Sequence, residues 1–199
     1  MTELRPPVVD AATLAARFAA RAAESGDADV AYTVIDTPAG RLVAARTPAG
    51  LVRLAYEDLN GSVDRVLESL ARRLSPRIVE APARLDDARR ELDEYFSGRR
   101  RDFDLPIDWT LTTPFARRVL QATAAIPFGE TSTYAQIAAA AGSPKGARPT
   151  GNALGANPIP IVVPCHRVMA TGGGLGGYTG GLSRKQLLLG IEGVLPPGV

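Results

Sequence analysis

The sequence predicts an α+β protein: a small N-terminal α/β domain built on an antiparallel three-stranded meander, then a mostly helical C-terminal domain holding a helix-turn-helix and a loop with the chain's one cysteine. Three observations carry this. Strand-like runs at residues 31–36, 41–46 and 51–56 are separated by two copies of Thr-Pro-Ala-Gly, at 37–40 and 47–50, and Pro followed by Gly in a four-residue connector is turn chemistry. Later segments carry apolar residues at helical spacing between capping signals. Charge is divided: residues 110–199 hold Arg117, Arg118, Lys145, Arg148, Arg167, Arg184 and Lys185 against Glu130 and Glu192, a balance of +5 that leaves −3 for the first 109 residues.

Taken in order, residues 10–23 place Leu14, Phe18 and several alanines at helical spacing, stopped by Ser25-Gly26-Asp27. This predicts a helix within an N-terminal extension, residues 1–29. The meander opens the next domain, residues 30–108, and is followed by helices at 63–74 (Val66, Leu67, Leu70, Leu74) and 86–96 (Leu92, Tyr95, Phe96), the second ended by Ser97-Gly98. Arg99-Arg100-Arg101 reads as a solvated basic knot. Pro106 and the lack of a clear period over 102–112 place the domain boundary there, with the second domain at 109–199. Pro114 suits the first turn of a helix with Phe115, Val119 and Ala122 on one face, stopping before Pro127. Thr133 and Gln136 have capping-box spacing for a helix at 134–141, and Gly142 ends it. After a turn at 143–146, a second short helix runs over 148–156, which completes a helix-turn-helix inside the basic half. This second helix has almost no bulk, with Gly151, Asn152, Gly155 and Ala156, so it suits shape and phosphate contact better than base reading. The apolar run 159–163 predicts a strand that Pro164 terminates, leaving Cys165 at its tip.

Composition bounds the function. The chain has 199 residues, 45% hydrophobic and 22% charged, which is globular rather than disordered. One cysteine, Cys165, and one histidine, His166, exclude an internal disulfide framework and a His/Cys zinc site, so no metal is expected. No segment reaches the roughly 18 apolar residues of a membrane span, and residues 1–7 have no apolar signal region. A cytoplasmic, reducing setting is expected, where a lone cysteine is either inert packing or a nucleophile. Its neighbours His166 and Arg167 favour the nucleophile, because imidazole and positive potential stabilise a thiolate. The glycine-rich run 172–181 lacks the Lys-Ser/Thr of a phosphate-binding P-loop and the spacing of a dinucleotide fingerprint, which argues against nucleotide binding.

Pro164-Cys-His-Arg-Val168 closely resembles the active-site signature of the O6-alkylguanine-DNA alkyltransferases, also called methylated-DNA–protein-cysteine methyltransferases. The resemblance extends through Phe128-Gly-Glu, Tyr134-Ala-Gln, Gly142-Ser-Pro-Lys, Ala147-Arg148, Gly155-Ala-Asn157-Pro, Gly176-Gly-Tyr178-Thr-Gly-Gly181-Leu and Leu188-Leu-Gly-Ile-Glu192-Gly, covering about the last 90 residues without a gap. It implies direct repair of O6-alkylguanine, and of O4-alkylthymine, in double-stranded DNA by transfer of the alkyl group to Cys165. The thioether product has no carbonyl for water to attack, so each molecule acts once. The resemblance implies that His166, held by Glu192, draws off the thiol proton through a water, that Asn157 orients this relay and that Tyr134 donates to the guanine as negative charge develops.

The target base must leave the duplex. Arg148 matches the family's intercalating finger, with Ala147, Thr150, Gly151 and Asn152 as further DNA contacts. Pro160, Val168, Gly176, Tyr178 and Thr179 match the walls of the alkylguanine pocket. No cofactor is implied, the partner is DNA alone, and the protein is expected to be a monomer. Pro149 and Gly155 depart from the family's pattern and point to reduced DNA affinity, and residues 1–29 have no counterpart.

Competing readings separate by simple observations. An alkyltransferase-like lesion binder lacks the cysteine, a Cys/His hydrolase turns over, and a helix-turn-helix regulator shows sequence preference.

Overall fold

The computed structural model describes residues 28–195 together with Thr13 and Arg21. The helix expected over 10–23 and the extension 1–29 lie otherwise outside the described residues.

Strands β1 (Val30–Ile35), β2 (Leu42–Thr47) and β3 (Gly50–Tyr56) form the expected antiparallel meander. The repeated Thr-Pro-Ala-Gly works the same way twice. The backbone N–H of Ala39 donates to Thr37 Oγ1, and that of Ala49 to Thr47 Oγ1. Gly40 and Gly50 then take φ of 104° and 142°, a region L side chains rarely adopt. Gly50 has a second reason to be glycine: a Cβ there would lie 2.3 Å from the carbonyl oxygen of Pro106. That close approach lets residues 106–108 pair along β3, with Leu51 N–H donating to Pro106 O at 2.7 Å and Asp108 N–H to Leu51 O at 2.9 Å. The linker is thereby fastened to the sheet.

The sheet has one strand more than the predicted meander. Strand β4 (Ile78–Glu80) pairs parallel to β1, giving the order β3-β2-β1-β4. Three half-buried or exposed residues near Pro76 and Pro82 carry no alternation to read.

Helix α1 (Glu57–Asn60) is a single turn after β3, and α2 (Val63–Arg73), capped by Ser62, lays Val66 and Leu70 against Val30, Val43, Ala45, Val52 and Ala55 on one face of the sheet. The opposite face, with Ala31, Leu42, Ala44, Leu51 and Leu54, packs on Leu85, Ala88, Leu92 and Tyr95, mostly from α3 (Asp86–Phe96), in a core continuous with Val119, Leu120, Ile159, Val163 and Leu188 of the second domain. The domains therefore share apolar burial.

In the second domain, α4 (Pro114–Ala124) begins at Thr113, whose Oγ1 accepts from Ala116 N–H, with Pro114 in the first turn. Its buried face is Val119, Leu120 and Thr123; Phe115 and Ala122, expected on that face, are half-buried beside it. Strand β5 (Ser132–Thr133) leads into α5 (Tyr134–Ala140) through the predicted capping box, and Gly142, with φ of 77°, ends it. Helix α6 (Ala147–Gly155) completes the helix-turn-helix.

The strand expected over 159–163 does not form. Pro158, Pro160 and Pro164 have no N–H to give a ladder. The segment instead folds into a buried turn, with Val163 N–H donating to Ile159 O at 2.9 Å and Ile161 at φ 75°. Cys165 therefore sits in a 3₁₀ turn, Cys165–Arg167, rather than at a strand tip. Strand β6 (Val168–Met169) pairs parallel to β5, and α7 (Leu182–Ile191) closes the fold.

Among the described residues, no helix is long and apolar enough to cross a membrane, and no group of three or more His, Cys, Asp or Glu side chains is placed to hold a metal ion.

Candidate active site

The buried turn after α6 brings Asn157 to Cys165. Asn157 Nδ2 donates to Cys165 Sγ at 3.1 Å and to Val163 O at 2.9 Å, while its Oδ1 accepts from Ile159 N–H at 3.0 Å. The amide is thus held from both ends. Cys165 is 5% exposed, and burial pushes its thiol up to about 11 against the opposing pull of Asn157 and the Lys185 charge. Burial therefore favours the neutral thiol at pH 7.

Behind it lies a buried polar cluster assembled from three elements. His166 Nε2 is 2.8 Å from Glu192 Oε1, just past the end of α7. The same oxygen accepts from Tyr95 Oη of α3 at 2.8 Å and Arg167 Nη2 at 3.0 Å, while Arg167 Nε donates to Oε2 at 2.9 Å. Burial raises the Glu192 carboxyl, but the hydrogen bonds and charges of His166 and Arg167 overcome this and hold it at about 2. An ionised carboxylate only accepts, so Nε2 of His166 carries the ring proton. Burial also keeps His166 below its usual imidazole value, against the pull of Glu192. At neutral pH, Nδ1 therefore presents a lone pair, and in this structure that buried atom has no hydrogen-bond partner.

The thiol faces a cavity of about 280 Å³ lined by Tyr134, Gly151, Leu154, Gly155, Cys165, Gly177, Tyr178 and Thr179. Its walls are the start of α5, one side of α6 and the glycine-rich loop. Gly151 of α6 lies beside the Tyr134 ring, where an added Cβ would make an ordinary contact at 3.7 Å, so close packing does not by itself require glycine there. The loop is pinned by Thr179 Oγ1, which donates to Gly155 O at 2.8 Å, and by Tyr134 Oη, which lies 3.4 Å from Gly177 O. Lys185, fully buried, donates from Nζ to Val168 O at 2.5 Å and to Leu175 O, tying the loop to β6.

Residues 30–109 match the 6-O-methylguanine DNA methyltransferase ribonuclease-like domain, and residues 114–194 match the DNA-binding domain of the same enzymes. The chain is 40% identical over 164 residues to the constitutive methylated-DNA–protein-cysteine methyltransferase of Bacillus subtilis, covering 81% of this chain and 94% of that one. It belongs to the 6-O-methylguanine DNA methyltransferase family. A Salmonella typhimurium methylated-DNA–protein-cysteine methyltransferase is 42% identical, with the same coverage. Among solved structures of the family, the Mycobacterium tuberculosis O6-methylguanine methyltransferase superposes with a TM-score of 0.70 at 37% identity, over 85% of this chain and 96% of that one. The M. tuberculosis enzyme in complex with DNA matches at the same TM-score and identity, over 84% and 96%. The mixed architecture expected from sequence, a small sheet domain before a helical one, is that of these family structures.

Within this family frame, Cys165, Tyr134, Gly151, Tyr178 and Thr179 meet at the cavity, and His166, Glu192 and Asn157 stand behind the thiol. Ala147, Arg148 and Asn152 are exposed on α6, whereas Thr150 is buried with its Oγ1 unpartnered and points away from that surface. Gly176 lies against Tyr134, where a Cβ would be 3.0 Å from its hydroxyl, but Gly177 lines the cavity. Val168 and Pro160 are buried outside the lining, and the Val168 carbonyl is engaged by Lys185. Arg167, expected to lend positive potential to the thiol, instead gives its charge to Glu192, and the base whose charge favours the thiolate is Lys185. Sequence reading also missed Tyr95, whose hydroxyl reaches Glu192 from 97 residues away; only the apolar period of its helix was visible.

Proposed function

We propose that this protein repairs O6-alkylguanine, and O4-alkylthymine, in duplex DNA by irreversible transfer of the alkyl group to Cys165. The observation that carries the reading is the pairing of a cavity-facing thiol with a histidine whose tautomer is fixed by Glu192 and whose buried Nδ1 is free to take a proton. One bridging water passes the thiol proton to Nδ1. The thiolate sulfur then bonds to the alkyl carbon as the carbon–oxygen bond breaks, and the electron pair leaves on the guanine oxygen. The Tyr134 hydroxyl donates to the base as that charge develops. Sulfur and carbon remain joined as a thioether, which offers water no carbonyl, so each molecule acts once.

A base stacked in the duplex does not reach a thiol that is 5% exposed. The exposed face of α6 supports docking on DNA, and Arg148 at its start supports filling the vacated stack. The alkyl donor is the DNA itself, so no step requires a cofactor. All reacting groups come from one chain, which supports a monomer, and a free thiol nucleophile suits the reducing cytoplasm. The working division is an extension at 1–29, an α/β domain at 30–108 and the DNA-binding transfer domain at 109–199.

Intact mass measured before and after incubation with an O6-methylguanine duplex tests the reading. One added methyl per protein, mapped to Cys165 and unchanged by excess substrate, is expected. Cys165→Ala should still bind the lesion and gain no mass. Methyl release beyond one per protein would overturn it.

A further inference from the structure

Tyr178 walls the cavity from the glycine-rich loop, and the group that holds it comes from the other domain. Tyr56, the last residue of β3, is 3% exposed and brings its hydroxyl 3.1 Å from that of Tyr178. The intervening Gly180 makes the meeting possible: a Cβ there would lie 2.4 Å from the Tyr178 ring and 2.7 Å from the Tyr56 ring. Tyr56 is itself clamped. The Arg184 guanidinium lies 4.3 Å from the centre of its ring, held by Ala39 O at 2.6 Å, Gly180 O at 3.1 Å and Asp58 Oδ2 at 2.7 Å. Sheet, loop and helix α7 are locked at this point, and the Tyr56 hydroxyl is a fixed anchor for a side chain on an otherwise glycine-rich segment. Burial pushes Tyr56 up to about 12 and raises Tyr178 as well, so both phenols stay protonated and the pair persists through the neutral range.

We infer that Tyr56 is a specificity-determining positioning residue: its hydroxyl, presented by the N-terminal sheet, fixes Tyr178 as a wall of the alkyl pocket and biases Cys165 towards small alkyl groups. This rests on the alkyl-transfer reading above. The larger the alkyl group that enters beside Cys165, the more it presses on the Tyr178 wall, and any displacement of that ring stretches its bond to Tyr56, a cost that weighs more on benzyl than on methyl.

The test compares rates of Cys165 thioether formation, by quenched intact mass, on duplexes holding O6-methylguanine or O6-benzylguanine. Tyr56→Phe keeps the ring and its contact with Arg184 but loses the tether. The benzyl-to-methyl rate ratio should rise roughly two- to ten-fold, the scale of one neutral hydrogen bond. Tyr178→Phe removes the same bond from the other end and should raise the ratio equally, and the double variant should go no further than either single one. It also carries the test should Tyr56→Phe fold poorly. An unchanged ratio, equal slowing on both substrates, or single effects that multiply in the double variant would overturn the inference while leaving alkyl transfer intact. If the wild-type protein gains no adduct from either duplex, the alkyl-transfer reading itself fails, and this inference with it.

Discussion

Cys165 and His166 are adjacent in sequence but divide the chemistry between burial and tautomer. Burial keeps the thiol protonated, with a value of about 11, which protects it between encounters and makes a base necessary when substrate arrives. His166 is suited to that task because burial lowers its own value, so it is unprotonated through the neutral range, and Glu192 confines its proton to Nε2. The sign of the pH dependence follows. In the wild-type protein, transfer falls only as pH drops through the lowered His166 value, and it is flat above. In His166→Gln no base remains, and reaction depends on the small thiolate fraction. That fraction rises ten-fold per pH unit up to about 11. At pH 7 the variant should be slower by about 10² to 10⁴, the usual contribution of a positioned base, and its log rate should climb with slope one between pH 7 and 9. Single-turnover kinetics across that range check this; a variant profile as flat as that of the wild type would show that His166 is not the base.

At the scale of elements, what was legible in the sequence was what local chemistry decides. Thr133 and Gln136 announced α5 because each satisfies the other's free backbone N–H, and the structure shows both bonds. Thr133→Ala should therefore cost about 1 kcal/mol of stability, measured by urea denaturation. It should also weaken transfer, because Tyr134, the first residue of that helix, is a cavity wall. The meander was legible from its repeated turns for the same reason. Elements that depend on distant partners were not: β4 exists because Ile78 to Glu80 meet β1, with too few residues for a pattern of their own. The run 159–163 has strand-like composition, but Pro160 within it and Pro158 and Pro164 at its ends have no N–H to give a ladder, so apolar composition alone points to the wrong structure. In the site, the adjacent Cys and His and the motifs around them were visible. Tyr95, Tyr56 and the buried Lys185 were not, since an aromatic or a lysine in an amphipathic helix or strand looks the same whether it packs, snorkels or holds a carboxylate.

At the scale of the whole molecule, the +2 net charge conceals where positive charge is free to act. Much of it is internally paired. Arg100 of the basic knot lies between Glu94 and Asp104, with Arg101 over the Phe128 ring, and Arg167 and Arg184 are held by Glu192 and Asp58. Lys185 is buried and Arg118 donates to Ala141 O. Around the exposed face of α6, Lys145 and Arg148 are exposed and engaged in no ion pair among the described residues. With these two as the phosphate contacts of α6, and Arg73 and Arg117 exposed nearby, the two set the lower bound of the expected electrostatics of docking. Each phosphate neutralised contributes about −0.9 to the slope of log affinity against log salt, so the slope for an undamaged duplex should be about −2. Raising salt from about 50 to 200 mM should then weaken binding only about ten-fold. Arg148→Ala should reduce the slope by about 1. It should also slow transfer from a paired duplex more than from a single strand, because a flipped base leaves a gap to fill only in the duplex. Fluorescence anisotropy across a salt series reads the first effect, and single-turnover rates on the two substrates read the second. A slope near −5 would mean that bases outside α6, exposed Arg73 and Arg117 and the Arg99 to Arg101 knot among them, also meet DNA; equal slowing on both substrates would reduce Arg148 to an ordinary phosphate contact.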